Sequence, residues 1–166
     1  LLIEGAMGRL QQRAGLGDET SYRGSLDWRY SGKLSEGWRL VLSDRLDHIK
    51  PSAGDRTINT LREAYLGWQD AAATTSVEFG RINLRTGPAY GYNPSDFFRD
   101  GSLRIATTLD PIALRDARMG SVALRGQRVW GGGSAFALIS PKLERQPSDK
   151  GFNLDQSKSR EMSELI

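Results

Sequence analysis

Two stretches of the chain alternate between apolar and polar side chains, and this period most constrains how the chain can fold. In residues 21–31 the apolar positions are Tyr22, Leu26, Trp28 and Tyr30, and the polar positions between them are Ser21, Arg23, Ser25, Asp27 and Arg29. In residues 38–48 one side carries Trp38, Leu40, Leu42 and Leu46, and the other carries Arg39, Ser43, Arg45 and Asp47. Because the side chains of a β-strand point alternately to its two sides, both stretches are predicted to be strands with one apolar and one charged face.

Four further strands are predicted, at residues 58–69, 75–84, 119–130 and 134–141. A helix is the rival interpretation for 38–48 and for 58–69, because both contain good helix formers. We favour strands for two reasons. Residues 38–48 begin directly after Gly37 and follow a strand with the same alternation. Residues 58–69 also contain residues that favour strands, namely Ile58, Thr60, Tyr65 and Trp68.

Some local features depart from regular alternation, and Val41 and Asp44 interrupt it in residues 38–48. The apolar positions of residues 75–84 shift from Val77 and Phe79 to Ile82 and Leu84, which predicts a β-bulge at Gly80. The last residues, DQSKSREMSELI, favour a short helix.

The six predicted strands form three hairpins whose connections differ in length. Connections inside the hairpins are short, at residues 32–37, 70–74 and 131–133, and those between hairpins are long, at residues 49–57 and 85–118. In an up-and-down meander, alternate connections lie at the same end of the sheet. Short turns at one end and long loops at the other are typical of bacterial outer-membrane barrels.

Tryptophans fall near the short connections, at Trp28, Trp38, Trp68 and Trp130. A membrane–water interface favours such rings, because they combine an apolar body with a polar group. We therefore predict that these four form an interfacial aromatic belt. The alternative is that they cap the core of a soluble β-sandwich.

The predicted fold is an all-β, antiparallel up-and-down meander of about six strands. The smallest bacterial outer-membrane barrel has about eight strands, and open sheet edges in lipid would leave backbone groups unpaired. Residues 1–166 are therefore predicted to be a fragment of one larger transmembrane β-barrel domain. The start of the chain fits this expectation, since it has neither an initiator Met nor a signal peptide.

Composition excludes several classes of function. The 23 basic and 20 acidic residues nearly balance and are spread along the chain, so no nucleic-acid partner is expected. The chain has no cysteine, which excludes disulfides and thiolate metal sites. No apolar run approaches the ~18 residues of a membrane-spanning helix, a test that β-barrel strands also pass.

Part of the chain resembles a known family of membrane proteins. The segments LREAYLGW, EFGRINLRTGPAYGYNPSDFF and LDPIALRDARMGSVALRGQRVWGGGSAFALISPKL, within residues 58–143, are similar to large proteobacterial outer-membrane barrels of the alginate-export type and related families. The resemblance rests on Arg62–Tyr65, Gly80–Arg81, Asn93–Asp96 and Asp110–Pro111. It implies an outer-membrane pore for an anionic polymer or small solute, with the lipid bilayer as partner and the oligomeric state open.

If the chain is a barrel, its charged strand faces must line the lumen, because arginine facing lipid at mid-depth costs about 2–4 kcal/mol. The predicted pore-lining residues are Arg23, Arg29, Arg39, Arg45, Arg81 and Arg125. In a soluble protein the same side chains would simply be solvated.

The long connection at residues 85–118 is predicted to fold into the pore and constrict it. Its aromatic residues, Tyr90, Tyr92, Phe97 and Phe98, are poor residues for a solvated tail. Its charged residues, which would narrow the pore and favour anions, are Arg85, Asp96, Arg99, Arg115 and Arg118.

No catalytic set, cofactor or metal is expected. His48, the one histidine, has no nucleophile motif beside it. The aspartates of the long connection, Asp96, Asp100, Asp110 and Asp116, do not have the spacing of an EF-hand. The three glycines at 131–133 do not open a phosphate-binding helix. Besides the transport barrel, two interpretations stay open: a soluble β-rich module that binds carbohydrate or another ligand, and a membrane-embedded enzyme.

Overall fold

The computed structural model describes residues 2–10, 19–50, 54–85, 102–103, 110–141 and 162–165. These residues form eight strands and one short helix. The strands are β1 (Leu2–Leu10), β2 (Glu19–Ser35), β3 (Trp38–Lys50), β4 (Arg56–Gln69), β5 (Thr75–Ile82), β6 (Ser121–Trp130), β7 (Gly133–Ser140) and β8 (Met162–Leu165). The helix, α1 (Pro111–Asp116), lies between β5 and β6.

All eight strands belong to one antiparallel sheet and are paired in the order of the sequence. The prediction of an all-β up-and-down meander is therefore confirmed. Within the described residues β1 and β8 are the two edges of the sheet, which is open there.

The six predicted strands correspond to β2–β7, and strand is the correct choice for both ambiguous stretches. Strands β1 and β8 were not predicted from the sequence. For Met162–Leu165 the expected helix is wrong, since these residues pair with β7. The β1 sequence, LIEGAMGRL, alternates poorly, and its strand is defined by its pairing with β2. Such tertiary pairing can override weak local propensity.

The two faces of the sheet differ in burial. We call the side that carries Ser25, Arg45 and Glu78 the inner face, and the side that carries Trp28 and Phe79 the outer face. The outer face holds most of the exposed large apolar side chains of β2–β7, among them Tyr22, Leu26, Tyr30, Trp38, Leu46, Leu66, Val77, Leu124, Trp130 and Ile139. The alternation predicted for residues 21–31 and 38–48 is thus confirmed by the burial of these strands.

An apolar cluster lies on the inner face at mid-sheet. It consists of Val41, Tyr65, Ile82, Leu84, Ala123 and Leu138, and Phe136 packs against it. This cluster explains why Val41 breaks the alternation of β3. It also explains the shift in β5, where Phe79 faces outward and Ile82 faces inward.

The predicted β-bulge at Gly80 is wrong. The β5 register runs through Gly80 without a shift, and Gly80 lies opposite Tyr65 and Ala123. A glycine is needed there because φ is 129° and a Cβ atom would lie 2.4 Å from the carbonyl oxygen of Ala64. The register shifts lie elsewhere, between Lys33 and Ser35 of β2 and opposite Ser43 and Asp44 of β3.

The short turns lie together at one end of the sheet, as predicted. The backbone N–H of Gln69, at the end of β4, donates to the carbonyl oxygen of Gly37 at 2.8 Å. The N–H of Val129, in β6, donates to the carbonyl oxygen of Thr74 at 2.8 Å. The first bond joins the turn between β2 and β3 to the end of β4. The second bond joins the turn between β4 and β5 to the end of β6. We call this the turn end and the opposite end the loop end.

Three of the tryptophans lie at the turn end, but Trp28 does not. Trp38 is the register partner of Trp68, and Trp130 is the partner of Gly133. Trp28 lies opposite Asp44, six residues along β3 from Trp38, which is about 20 Å at the usual rise of a strand. The prediction of a turn at residues 32–37 placed Trp28 beside that turn, and this placement is wrong. In the structure β2 continues to Ser35 and the turn contains only Glu36 and Gly37.

Candidate functional site: the charged inner face

A cluster of ion pairs covers the loop-end half of the inner face. Its centre is Arg45 of β3, whose guanidinium donates to Asp47 at 3.0 Å, to Glu4 of β1 at 2.9 Å and to Asp27 of β2 at 3.3 Å. Ser25 donates a further hydrogen bond to Asp47. We call Glu4, Ser25, Asp27, Arg45, Asp47 and Arg62 the loop-end cluster.

The loop-end cluster is buried, and burial makes its pairing necessary. Asp47 is only 1% exposed and Arg45 8%. An unpaired charge at such a site would lose its hydration without compensation, at a cost of several kcal/mol. The three carboxylates around Arg45 supply that compensation, and they also join three neighbouring strands through one side chain.

Arg62 enters this cluster because of an irregularity in β4. Glu63 pairs with Ser43 and Leu61 with Asp44, so Arg62 is an extra residue in β4. Its guanidinium donates to Asp27. The Nε atoms of Arg62 and Arg23 are buried and have no hydrogen-bond partner among the residues that the structure describes. Arg62, Glu4 and Glu63 were not predicted as site residues: Glu4 lies in a strand that was not predicted, and the irregularity of β4 at Arg62 depends on pairing with β3.

A second cluster lies at the turn end of the inner face. Both oxygens of Glu78 are used: Arg39 donates to Oε1 at 2.6 Å, and Arg125 donates to Oε2 at 3.3 Å. Arg125 also donates to Gln127 at 3.2 Å. The guanidinium of Arg39 lies 5.7 Å from the centre of the Tyr65 ring, and that of Arg125 lies 5.9 Å from the centre of the Phe136 ring. We call Arg39, Glu78 and Arg125 the turn-end cluster.

The turn-end cluster borders a pocket of about 710 Å³. The pocket is open at the turn end and is lined by Lys33, Glu36, Gly37, Trp38, Arg39, Gly67, Trp68, Gln69, Asp70, Ala71, Ser76, Glu78, Arg125 and Gln127. Gly67 forms part of its floor. A Cβ atom on Gly67 would lie 2.8 Å from Nε of Arg39, so the glycine lets this arginine lie flat across β4 toward Glu78.

The predicted pore-lining arginines divide into two groups. Arg23, Arg29, Arg39, Arg45 and Arg125 lie on the inner face, where Arg29 pairs with Glu63 at 3.1 Å. Arg81 does not lie there. Its register partners are Ala64 and Val122, on the outer-face side, and its guanidinium donates to the carbonyl oxygen of Leu61 at 3.0 Å.

One buried polar pair interrupts the outer face. The Nδ2 atom of Asn59 donates to both oxygens of Asp44, at 3.0 and 2.9 Å, and the backbone N–H of Arg45 donates to Oδ1 at 2.9 Å. This explains the second break in the alternation of β3. Asp44 lies on the apolar side, where three hydrogen bonds satisfy its carboxylate.

The long connection is described only in part. Arg85 pairs with Asp116 at 2.6 Å, and the amide of Asn83 donates to the carbonyl oxygen of Arg115 at 3.1 Å. The side chains of Arg115 and Arg118 are buried. These contacts hold α1 against the chain that leaves β5. The predicted residues Asp96 and Arg99 and the rings of Tyr90, Tyr92, Phe97 and Phe98 lie outside the described residues.

Other candidate residues have structural partners. His48 lies opposite Thr57, with Nδ1 3.0 Å from the threonine hydroxyl. Asp110 caps α1 by accepting the N–H of Ile112 at 3.1 Å, while Asp100 lies outside the described residues. Within the described ranges no group of three or more acidic or histidine side chains is arranged to hold a metal ion.

Comparison with protein-family models, with curated proteins and with solved structures gave no match. The resemblance to alginate-export barrels therefore stays a prediction. In the described part of the chain no helix is long and apolar enough to cross a membrane.

Proposed function

We propose that this chain forms part of the wall of a bacterial outer-membrane β-barrel, a pore or transport barrel for small or polymeric anionic solutes. The observation that carries the proposal is the distribution of side chains between the two faces. Arg45, Asp47 and Glu63 are buried on the inner face, whereas the outer face leaves Phe79 61%, Ile139 58% and Trp130 54% exposed.

This distribution is the reverse of what water favours. Burial of apolar area contributes about 25 cal/mol per Å², and monomeric soluble proteins rarely expose large contiguous apolar surfaces. In a bilayer the same outer face would contact acyl chains, and the charged face would contact the aqueous lumen. The ion pairs of the inner face would then face the aqueous lumen, as polar side chains of a barrel wall do.

Strand length supports the same proposal. Strands β2, β3 and β4 contain 17, 13 and 14 residues, whereas about 9–11 tilted residues cross a bilayer and most strands in soluble proteins have about 5–6. The strands could thus span a membrane and extend beyond it at the loop end.

The charge of the inner face supports only a mild preference for anions. Its described arginines are Arg23, Arg29, Arg39, Arg45, Arg56, Arg62 and Arg125, and its described carboxylates are Glu4, Asp27, Asp47, Glu63 and Glu78. Ion pairs with these carboxylates are formed by Arg29, Arg39, Arg45, Arg62 and Arg125. Since paired charges largely cancel, the lumen field of this wall would be weakly positive.

The test uses the full-length protein in lipid vesicles, with variants that each keep one tryptophan. Lipids brominated near the headgroup should quench Trp38, Trp68 and Trp130. Trp28 should instead be quenched by bromine deeper in the chains, because its position about 20 Å along the strand corresponds to roughly 15 Å of depth at a usual barrel tilt. Protein that stays soluble without detergent, with none of the four quenched, would contradict the proposal.

A planar-bilayer recording tests the solute class separately. The reversal potential in a salt gradient should show a mild preference for chloride over potassium. A channel that prefers cations would leave the barrel proposal intact and refute the anionic solute.

The pocket at the turn end favours a second candidate, a soluble β-rich module that binds carbohydrate or another ligand. Its size falls within the ~300–1,000 Å³ of ligand sites, and Trp38 and Trp68 could stack on a sugar ring. That candidate requires a protein that stays soluble without detergent and whose tryptophans are not quenched by brominated lipids.

A further inference from the structure

We propose that the pocket at the turn end is a resident binding site for a small solute that carries a carboxylate or phosphate group. Arg39 and Arg125 would hold the anionic group, and Glu78 occupies its place when no solute is bound. This inference goes beyond the proposed pore, since a soluble protein with the same sheet would also contain the site.

The first argument is the arrangement of charge across the sheet. Lys33, Arg39, Gly67, Glu78 and Arg125 are successive register partners, so they form one row across five strands, β2 to β6. In this row three cations face a single carboxylate. The next row toward the turns contains uncharged polar side chains, Gln69, Ser76 and Gln127. The pocket therefore has a row of three cations and one carboxylate beside a row of hydrogen-bonding groups, and its two other carboxylates, Glu36 and Asp70, lie outside that row, in the turns.

The second argument is that the two arginines are incompletely used. A guanidinium has five N–H donors. With described residues, Arg39 uses one nitrogen, which donates to Glu78, and Arg125 uses two, which donate to Glu78 and Gln127. Their side chains are 54% and 37% exposed to the pocket and its solvent. The remaining donors can bind an oxyanion, which a planar guanidinium binds by paired hydrogen bonds.

The third argument is that the arginines are held in position before a ligand arrives. Gly67 leaves space for Arg39 to cross β4, and the rings of Tyr65 and Phe136 lie beside the two guanidinium groups. Ordering long side chains on binding costs free energy. Two arginines already fixed against glycine and aromatic surfaces avoid part of that cost.

Glu78 acts as an internal competitor in this site. Its carboxylate shares both arginines, so a bound oxyanion must take over donors that Glu78 now uses. Replacing Glu78 with glutamine removes the competing charge and keeps its size. Affinity for anions should therefore increase in Glu78→Gln, an effect that a merely structural role of Glu78 would not produce.

The experiment is equilibrium dialysis of the folded full-length protein with radiolabelled inorganic phosphate and, in a second arm, with labelled succinate. Arg39→Gln and Arg125→Gln should each weaken binding about tenfold, the usual effect of losing a charge-assisted hydrogen bond. Glu78→Gln should strengthen it several-fold. Arg128→Gln is the matched control: this exposed arginine lies on β6, three residues from Arg125, and does not line the pocket. Its binding should stay within twofold of the unmodified protein.

Phosphate and succinate should compete for one site, and binding of only one of them would identify the oxyanion. If neither anion binds, the site does not exist. If Arg128→Gln weakens binding as much as Arg39→Gln does, the binding depends on the overall charge of the protein and not on this site. Arg39→Lys provides a folded alternative should the glutamine variants fail to fold, and it should also bind more weakly because an ammonium lacks the guanidinium fork. Bilayer conductance of the unmodified protein tests the pore by itself.

Discussion

At Asp47 a single carboxylate supports much of the loop-end cluster. It is almost fully buried and accepts hydrogen bonds from Arg45 and Ser25. Truncation would leave Arg45 buried with fewer counter-charges, although Glu4 and Asp27 would remain.

We expect Asp47→Ala to lower the free energy of unfolding by about 3 kcal/mol, the lower end of the cost of breaking a buried ion pair. Urea unfolding of the full-length protein, followed by tryptophan fluorescence, measures this. Asp55→Ala, at an exposed residue just before β4, is the control and should change stability by less than about 0.5 kcal/mol. Equal effects of the two variants would mean that the ion pairs do not stabilise the sheet.

Asp70 determines a pH dependence at the turn end. Its carboxylate accepts hydrogen bonds from the Thr74 hydroxyl at 2.6 Å and from the N–H groups of Thr74 and Thr75, and the Thr74 hydroxyl bond in particular holds the pKa of Asp70 below its usual value. A depressed folded-state pKa stabilises the protein above the unfolded-state pKa, and this contribution disappears as pH falls through the depressed value.

Asp70→Ala should therefore lower the thermal midpoint at neutral pH. The difference from the unmodified protein should shrink as the pH is lowered below about 3.9, the ordinary pKa of aspartate. Thermal scans between pH 2 and pH 7 would show it. A difference that is constant over this range would mean that the carboxylate contributes nothing as an anion.

Among the elements, β4 and β6 meet where β5 ends. The N–H of Gly120, just before β6, donates to the carbonyl oxygen of Arg62 at 2.8 Å. A Cβ atom on Gly120 would lie 2.6 Å from that oxygen and 2.7 Å from the carbonyl group of Ile82. The backbone at the extra residue of β4 thus lies in direct contact with the backbone that leads into β6.

We expect Gly120→Ala to destabilise the protein by about 1–3 kcal/mol, because the clash is with backbone that can move only by disturbing the sheet. Gly126→Ala, on the same strand, is the control, since a Cβ atom there meets nothing within 4 Å. Urea midpoints of the two variants provide the comparison. An equal loss at both positions would show that the close approach at Gly120 does not constrain β6.

For the whole molecule, the environment of the outer face decides between a barrel and a soluble module. Phe79 is exposed on that face, two strand residues from the row of Trp38 and Trp68, and Ser31 lies on the inner face. In a bilayer an arginine replacing Phe79 would contact acyl chains, whereas one replacing Ser31 would contact the lumen.

Phe79→Arg should decrease the free energy of unfolding in lipid vesicles by about 1–2 kcal/mol, because its position lies between the midplane, where arginine costs about 2–4 kcal/mol, and the interface, where it costs about 0–1 kcal/mol. Ser31→Arg should leave it nearly unchanged. Urea titration of both variants in vesicles gives the two values. A soluble protein would reverse the expectation: Phe79→Arg would then be neutral or would improve solubility.

The sequence by itself determined the strand class, the two faces and the position of the turns. Alternation in residues 21–31 and 38–48 is a local property, because each strand residue points opposite to its neighbours whatever the strand pairs with. Three short links were predicted and all three lie within the predicted ranges, although the first contains only residues 36–37. The end of an alternating stretch is a local signal that needs no distant partner.

Only the tertiary structure decided which charges meet. Glu4, Arg45 and Asp27 come from three strands, and their contact depends on the register between those strands, to which local sequence contributes little. The extra residue at Arg62, the outward position of Arg81 and the pairing of β1 and β8 have the same origin. Val41, Asp44 and the shift in β5 break the local alternation. The apolar cluster explains Val41 and the β5 shift, and the hydrogen bonds from Asn59 explain Asp44. In each case the partners are distant in the chain. A strand's period is encoded residue by residue, whereas register and side-chain pairing are properties of the assembled sheet.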